Sequence, residues 1–510
     1  MKIFNQKKWL VLPVAFLMLG SCTKLNENLN SELTSSQISS GAADPTTLLK
    51  GVYTSLRNPF EAPWGVWSLQ EVASDEVIIP TRGGDWDDGG DWRAFHLHKW
   101  NSFHSRIYST LKDLTGTTFA ATDLLRYNPT PQQAAEARFV RALATFSIID
   151  LFGQAPYREP GENLTQPAKV RSAAEATDFV ISELNAIIPT LQSATAAGAK
   201  PYIATKEAAK VLLMKCYLNK GTFANRTTPA FDAADMTKVI ALADEIIATG
   251  KYSLATNYFD NFAPNNENIS TENIFTGHNI GGGEGSGLNA FFYAPSHYNM
   301  NPGGWNGFST LSDFYAKFTS TDIRRGTSYA GMTNVGGVKI GFNVGQQFSQ
   351  NGVALKDRRG NPLAFTPEVN IIEKDVNHLE VAGIRVYKYA IDYAQIGNPN
   401  NDWVYFRYAD VLLMKAEALM RTSNAAAALT IVNNVRTVRG AAALTSLTPD
   451  VMIDELGREF YWESHRRTDL IRFGKWLSAW QEKPASEAKN LLYPIPDNQI
   501  NENLKQNPGY

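Results

Sequence analysis

The chain has 510 residues, of which 44% are hydrophobic, and a formal net charge of −2 at pH 7. This length is enough for two or three domains, or for one large helical domain with loop insertions. The sequence has no basic patch with interleaved aromatic residues. Together with the near-neutral charge, this argues against nucleic acid as a partner.

The first 21 residues have the order of a bacterial lipoprotein signal peptide. Three lysines precede an apolar run from Trp9 to Leu19, which is too short to span a bilayer as a helix. Residues 19–22, Leu-Gly-Ser-Cys, resemble a lipobox, in which Cys22 is acylated and becomes the first mature residue. A plain signal peptide with an incidental cysteine is the alternative.

The segment after Cys22 predicts a membrane anchor rather than a membrane span. Several acyl chains on Cys22 would hold the protein at a membrane surface, because each buried methylene contributes about 0.8 kcal/mol. Residues 22–43 are polar and rich in Asn and Ser, which predicts a lipidated tether. The other cysteine, Cys216, lies in an apolar helical pattern and is interpreted as a small core residue.

Helical periodicity predicts most of the frame. The predicted helices are one opened by Asp44 and Pro45, 132–152, 173–191, 206–220 paired with 233–249, and 407–421 paired with 424–438. The two pairs carry the same run, Leu-Leu-Met-Lys, at 212–215 and 412–415. Paired helices of this length predict a mainly α fold of tetratricopeptide-like repeats, although the usual Trp, Leu-Gly and Tyr consensus is absent.

The stretch from Thr448 to Trp476 predicts a long helix or a helix pair with one buried face. Thr448 can cap the helix, and Pro449 suits its first position. Opposite charges recur at helical spacing: Glu463 with Arg466 and Arg467, and Asp469 with Arg472. Spacing alone predicts a solvated face of salt bridges. His465 is interpreted as part of a structural ion-pair network.

Two loop-rich regions, 59–101 and 261–391, interrupt the helical pattern. They are rich in aromatic residues, whose flat faces suit the C–H face of a sugar ring, and in Asp, Asn and Arg, which suit its hydroxyls. Because tryptophan is mostly buried, we expect about half of these rings to be structural. The predicted anchors are Trp64 and Trp100, and Asp75 and Glu76 are interpreted as structural acids. The predicted ligand-binding residues are Trp67, Trp86, Trp92, Tyr293, Tyr298 and Trp305.

Other chemistries receive less support from the sequence. Asp85, Asp87, Asp88 and Asp91 invite a calcium interpretation. Because no EF-type loop is present and two glycines break the spacing, a solvated acidic loop is favoured. There is no HExxH, GxSxG, P-loop or Cys/His cluster at ligand spacing, so no enzyme activity, cofactor or metal is predicted. A surface glycoside hydrolase remains an alternative, although no motif singles out a carboxylate pair.

Several stretches of sequence resemble motifs of the SusD/RagB family of nutrient-binding lipoproteins. The most specific is Arg458 to Trp476, followed by Tyr-Pro-Ile-Pro at 493–496 and Gln-Asn-Pro-Gly-Tyr at 506–510. The runs AEARFVRALATFSIIDLFGQAPY and FRYADVLLMKAEAL are similar to two further family motifs. The resemblance implies a SusD-like N-terminal region over 44–260 and a C-terminal region over 261–510.

The resemblance also implies a function. Proteins of this family are lipid-anchored in the outer membrane at the cell surface, bind glycans on one exposed face, and act as a hinged lid over a SusC-like TonB-dependent transporter. Members often carry an acidic run after the lipidated cysteine, and this chain has Thr-Lys-Leu-Asn-Glu there. This departure leaves open whether the protein is displayed on the cell surface or on the periplasmic face of the outer membrane. A helical-repeat adaptor with peptide cargo, or with no cargo, remains a further alternative.

Overall fold

The computed structural model describes residues 43–283 and 287–510. The predicted signal peptide, Cys22 and residues 23–42 lie outside the described residues. The chain divides into two units, Met1–Ala43 and Asp44–Tyr510, and the fold below is that of the second unit. Among the described helices, none has the length and apolar character needed to cross a membrane.

Helices form the scaffold. Those of six or more residues are α1 (Pro45–Arg57), α2 (Asp91–His96), α3 (Ser105–Leu124), α4 (Pro131–Phe152), α5 (Ala173–Ile187), α6 (Lys206–Ala224), α7 (Ala233–Ala248), α8 (Tyr408–Arg421), α9 (Ala425–Val438), α10 (Pro449–Phe460) and α11 (Arg466–Arg472). From α3 to α9 each helix packs on the next, and α1 packs on α3 and α4. The predicted helical-repeat scaffold is confirmed, since the pairs α6/α7 and α8/α9 stack through α7 and α8.

The ends of these helices follow from their capping residues. Asp44 accepts the first N–H groups of α1, and Thr130 and Gln133 form a capping box at α4. Gly153 ends α4 in the left-handed conformation, with φ of 71°. The predicted boundaries of the paired helices are therefore close to the observed ones.

Helix α3 was not predicted, and its composition explains why. Its buried face includes Thr110, Thr117, Thr118 and Thr122 among aliphatic residues. Their hydroxyls donate to main-chain carbonyls three or four residues earlier, for example Thr122 to Thr118 at 2.8 Å. Because threonine reads as polar, it hides the apolar period of the helix.

The strands are short, and most of them lie in the two loop-rich regions. They are β1 (Thr81–Arg82), β2 (Gln154–Tyr157), β3 (Lys169–Ser172), β4 (Asn273–Gly277), β5 (Gly326–Thr327), β6 (Ile340–Asn343), β7 (Gly345–Gln346), β8 (Ala364–Phe365), β9 (Ile372–Glu373), β10 (Arg385–Tyr387) and β11 (Trp403–Arg407). The antiparallel pairs are β2–β3, β4–β11, β7–β8 and the set β10–β6–β5, whereas β1 and β9 pair in parallel. Single helical turns lie at Asn266–Ile269, Ala290–Tyr293, Ser312–Tyr315 and Thr333–Gly336.

The charged C-terminal stretch is a helix pair whose charges are buried, so the predicted solvated face is wrong. The helical conformation is interrupted between α10 and α11, where Trp462 and Ser464 take positive φ values of 62° and 65°. The break turns Glu463 away from Arg466 and Arg467. The pairs found are Glu463 with Arg407 at 2.8 Å, Arg466 with Asp75 at 2.6 Å, and Asp469 with Arg472 at 2.7 Å, the last as predicted.

Glu459 lies at the centre of this network. It accepts hydrogen bonds from Arg324 at 2.9 Å, Arg407 at 2.7 Å and Arg439 at 2.8 Å, and all four side chains are fully buried. Burial acts to raise the pKa of Glu459, but the three guanidinium groups hold it well below its usual range. A buried charge of this kind is tolerated only because it is fully paired. The network joins β11, α9 and α10 to the loops around Glu272 and Arg324.

Candidate functional site

An open cleft of about 720 Å³ lies where the two loop-rich regions meet. Aromatic rings form its walls, and two carboxylates and two guanidinium groups lie along it. The lining residues are Trp64, Asp85, Trp86, Asp88, Arg106, Tyr298, Gly304, Trp305 and Arg358. They come from five separate stretches of the chain, so only the folded protein brings them together.

Trp305 is the most exposed ring of the cleft, with 42% of its surface accessible. It stacks on Tyr293, with ring centroids 5.7 Å apart and planes at 28°, and on Trp64, at 6.5 Å and 24°. Trp86 lies at 6.5 Å in a tilted arrangement, and its indole N–H donates to the main-chain carbonyl of Trp305 at 2.8 Å. These contacts hold the indole of Trp305 in place while part of its surface stays accessible to solvent.

Two glycines allow this packing. A Cβ atom at Gly307 would overlap the Trp86 ring, and one at Gly304 would overlap the main-chain carbonyl of Tyr293. Close approach of backbone to a ring is a position where only glycine fits. The glycine-rich character of residues 303–307 therefore has a steric reason.

Tyr298 and Arg358 form the polar side of the cleft. The Tyr298 hydroxyl donates to Asp85 at 2.9 Å, and the Arg358 guanidinium lies 3.8 Å from the centroid of the Tyr298 ring. Burial and the hydrogen bond to Asp85 raise the pKa of Tyr298. Arg358 in turn donates to Glu380 at 2.7 Å. Glu380 is also 2.8 Å from His297 Nε2, and burial lowers the pKa of His297.

Arg106, at the start of α3, donates no side-chain hydrogen bond to any of the described residues. Its guanidinium lies 4.0 Å from the Trp92 ring centroid and 5.1 Å from that of Trp64. Its nearest carboxylates, Asp88 and Asp91, are 3.7 and 3.9 Å away, beyond hydrogen-bond distance. Burial lowers its pKa. Arg106 can therefore donate to a ligand in the cleft.

Three of the six predicted ligand-binding residues, Trp86, Tyr298 and Trp305, line the cleft. Tyr293 lies directly against Trp305. Trp64, predicted to be an anchor, lines the cleft instead. By contrast, the predicted anchor Trp100 is buried, and its indole N–H donates to the Tyr510 hydroxyl at 2.6 Å.

Trp67 and Trp92 correct the prediction, because neither ring has any accessible surface. Trp67 stacks on Phe308 at 5.4 Å and donates to the Trp462 carbonyl at 3.2 Å. Trp92 supports the cleft from beneath and donates to Asp88 at 2.7 Å. Large rings that pin a loop to its scaffold carry the same sequence signal as rings that bind a ligand.

No pattern in the sequence indicates that Arg106 and Arg358 are cleft residues. Arg106 lies in the first turn of α3, the helix whose buried threonines hide its apolar period. Arg358 lies in a turn between β7 and β8. Their position depends on how the loops fold over the scaffold. The predicted structural acids are confirmed, since Asp75 pairs with Arg466 and Glu76 accepts the Trp462 N–H at 3.2 Å.

The acidic loop distributes its carboxylates among separate partners. Asp87 pairs with Arg93, and Asp91 accepts from the Ser105 hydroxyl at 3.2 Å. Within residues 43–283 and 287–510, no group of three or more His, Cys, Asp or Glu side chains is placed to hold a metal ion.

Two other sequence interpretations concern the interior. Cys216 is buried as predicted, and His465 stacks on Phe460 at 4.7 Å, where burial lowers its pKa well below the usual value.

The fold and the cleft define a class: a helical-repeat protein that carries an open, aromatic-lined cleft on its inserted loops. The model of the SusD family matches residues 243–510, and the chain belongs to this family. It is 27% identical over 505 residues to the starch-binding protein SusD of Bacteroides thetaiotaomicron, an alignment that covers 87% of this chain and 85% of that protein.

Solved structures show the same fold. Surface glycan-binding protein A from Bacteroides thetaiotaomicron, in complex with laminarihexaose, superposes with a TM-score of 0.68 at 17% identity, covering 91% of this chain and 98% of that chain. A SusD superfamily protein from Parabacteroides distasonis gives a TM-score of 0.71 at 19% identity, with coverage of 94% and 100%. At these identities the likeness concerns the fold alone.

Proposed function

We propose that this protein binds an oligosaccharide, without cleaving it, in the cleft built around Trp305. The observation that carries the proposal is the exposed indole of Trp305, 42% accessible in an open cleft and held by contacts with Tyr293, Trp64 and Trp86. A pyranose ring presents a flat apolar C–H face of similar size. Stacking on a ring that is already fixed costs little conformational entropy.

The polar groups of the cleft suit the hydroxyls of such a ligand. Arg106 has free donors beside Trp64, and Asp85 and Asp88 supply acceptors on the exposed side. Arg358 also lines the cleft; it donates to Glu380 and lies over the Tyr298 ring, which leaves its other N–H groups available to a ligand. Few, well-placed polar groups around an apolar face are typical of ligand sites that fix orientation.

The wider role follows from the family and the N-terminal sequence. We infer that Cys22 is lipidated, that the lipid holds the protein at the outer membrane on the cell surface, and that the bound glycan is delivered to a SusC-like TonB-dependent transporter. The absence of catalysis is likewise part of the proposal. It is supported by the lack of sequence motifs for hydrolysis and by the names of the relatives, which describe binding.

The decisive experiment measures binding and cleavage on the same glycan. Isothermal titration of the mature protein with laminarihexaose, followed by a survey of soluble glycans on affinity gels, is expected to give binding that is lost in Trp305→Ala. Phe119→Ala is the matched control, because Phe119 is an exposed ring, 42% accessible, on the distal half of α3.

Other outcomes decide between the alternatives. Release of new reducing ends from the bound glycan would establish a glycoside hydrolase. Failure of every glycan to bind, with unchanged binding of a transporter by Trp305→Ala, would favour the adaptor. Arg106→Gln separates the roles in the cleft, because it removes charged donors and leaves the aromatic faces. Its expected effect is a loss of affinity for ligands whose hydroxyls approach Trp64.

A further inference from the structure

Two buried arginines without a carboxylate partner lie behind the cleft. Arg385 is fully buried and Arg82 is 4% exposed. Neither forms an ion pair with any of the described residues. Burial lowers the pKa of both side chains, that of Arg82 to about 10. A buried charge without an ion-pair partner is costly, and here hydrogen bonds from the terminal guanidinium nitrogens offset part of that cost.

Their hydrogen bonds go to two short segments. We call residues 303–309 the aromatic segment, because it carries Trp305, and residues 379–383 the acid segment, because it carries Glu380. Arg82 donates to the carbonyls of Leu379 at 3.0 Å, Ala382 at 2.8 Å and Gly307 at 3.4 Å, and to the Ser309 hydroxyl at 3.0 Å. Arg385 donates to the Ser309 hydroxyl, to the carbonyls of Ala382 at 2.8 Å, Gly383 at 3.0 Å and Glu380 at 3.2 Å, and to Asn306 Oδ1 at 2.8 Å.

All of these acceptors belong to the aromatic segment or the acid segment. The two arginines share Ser309 and the carbonyl of Ala382, so each joins one segment to the other. The segments lie about 70 residues apart in the sequence, from Ser309 to Leu379. The rigid fork of a guanidinium can hold two segments of the chain at a fixed distance. The ammonium group of a lysine, on its flexible stem, does not do this.

We propose that Arg82 and Arg385 are positioning residues of the cleft, which set the distance between Trp305 and Arg358. Trp305 belongs to the aromatic segment, and Arg358 is held by Glu380 of the acid segment at 2.7 Å. The ring face and the guanidinium would contact the same ligand from two sides. A binding site that is loosened by its supporting residues loses affinity without losing its contact groups. This inference rests on the proposed function.

The test compares Arg385→Lys and Arg82→Lys with Arg467→Lys. Arg467 is a buried-arginine control away from both segments: it is fully buried, donates to the main-chain carbonyls of Asp150 at 3.1 Å and Leu491 at 2.6 Å, and also pairs with the Asp150 carboxylate at 3.4 Å. Two quantities are measured for each variant: the affinity for laminarihexaose, and hydrogen–deuterium exchange of the two segments without ligand. Ser309→Ala, which removes the shared hydroxyl, serves as a milder variant if a lysine variant does not fold.

We expect Arg385→Lys to lower the affinity about tenfold and to speed exchange in both segments. Arg467→Lys is expected to lower the melting temperature while changing the affinity by less than about twofold. Unchanged exchange in the segments of Arg385→Lys and Ser309→Ala would overturn the proposal, as would an equal loss of affinity in Arg467→Lys. If the wild-type protein does not bind laminarihexaose, the proposed function fails for that glycan. The exchange measurement then decides the positioning role by itself.

Discussion

The indole N–H of Trp86 donates a hydrogen bond of 2.8 Å to the main-chain carbonyl of Trp305, 219 residues further along the chain. This bond joins the first loop-rich region to the second at the cleft. It also fixes the backbone that carries the exposed ring of Trp305. Rigidity of the ring is what makes stacking on it favourable, because less freedom is lost on binding.

Trp86→Phe is expected to weaken glycan binding without abolishing it. The substitution keeps an aromatic ring and removes the donor. A net hydrogen bond contributes about 1 kcal/mol, so the affinity should fall about fivefold. Titration with the bound glycan measures this. An affinity equal to that of the wild type would mean that the bond does not position Trp305.

Trp305→Ala is expected to cause the largest loss in the cleft. An exposed, supported ring at the centre of a site typically contributes 2 kcal/mol or more, which corresponds to a loss of about 30-fold. Because Trp305 is 42% exposed, the melting temperature should change little. A large drop in stability with unchanged affinity would show that the ring is structural.

Trp67→Phe should show the opposite pattern. Trp67 is fully buried and packs on Phe291, Phe308 and Trp462. Loss of ring volume in the core is expected to lower the free energy of unfolding by about 2 kcal/mol and to leave the affinity within about twofold. Urea unfolding and glycan titration of the same preparation measure both. A selective loss of affinity would return Trp67 to the ligand site.

Stability should fall in acid because of the buried ion network. Arg324, Arg458 and Arg436 overcome the effect of burial and lower the pKa of Glu455 from 4.5 to about 2. A depressed pKa in the folded state gives stability that is complete above about pH 4.5 and is lost as the pH falls toward 2. A shift of this size corresponds to about 3 kcal/mol.

Glu455→Gln isolates that contribution. The variant should unfold at lower urea concentration near neutral pH, and its free energy of unfolding should decline less steeply between pH 5 and pH 3 than that of the wild type. Asp454→Asn, at a half-exposed neighbouring carboxylate paired only with Lys317, is the control. Parallel pH profiles for the wild type and Glu455→Gln would contradict the assignment.

Cys22→Ser tests the anchor. With the cysteine, the full-length chain expressed in its native envelope should enter the membrane fraction and label with a fatty-acid analogue. Without it, both properties should be lost, because the acyl chains would have no attachment site. Cys216→Ser is the matched control, since Cys216 is buried in α6. Membrane retention of Cys22→Ser would disprove lipidation as the anchor.

Local patterns were sufficient for the scaffold. Capping residues and apolar periods lie within a few residues of each other, so α1, α4 and the paired helices α6/α7 and α8/α9 could be predicted from short windows of sequence. Helix α3 could not be predicted, also for a local reason. Its buried threonines count as polar in the sequence pattern, although their hydroxyls donate to main-chain carbonyls of the same helix. The motifs of the C-terminal stretch carried the family resemblance without showing that its charges are buried.

The cleft could be predicted only in part. The sequence placed aromatic residues on the loops, but exposed Trp305 and buried Trp67 have the same side chain and similar glycine-rich or proline-rich neighbours. Which ring faces solvent depends on long-range packing between the two loop-rich regions. The same packing decides that Trp64, Arg106 and Arg358 also line the cleft.

The sequence by itself determined a stacked helical scaffold, the candidate lipid anchor and the presence of ring-bearing loops, because each follows from residues that are neighbours along the chain. Tertiary structure alone decided which rings are open and which arginines are paired. Burial is a property of contacts between residues as far apart as Trp67 and Trp462, and no short stretch of sequence contains that information.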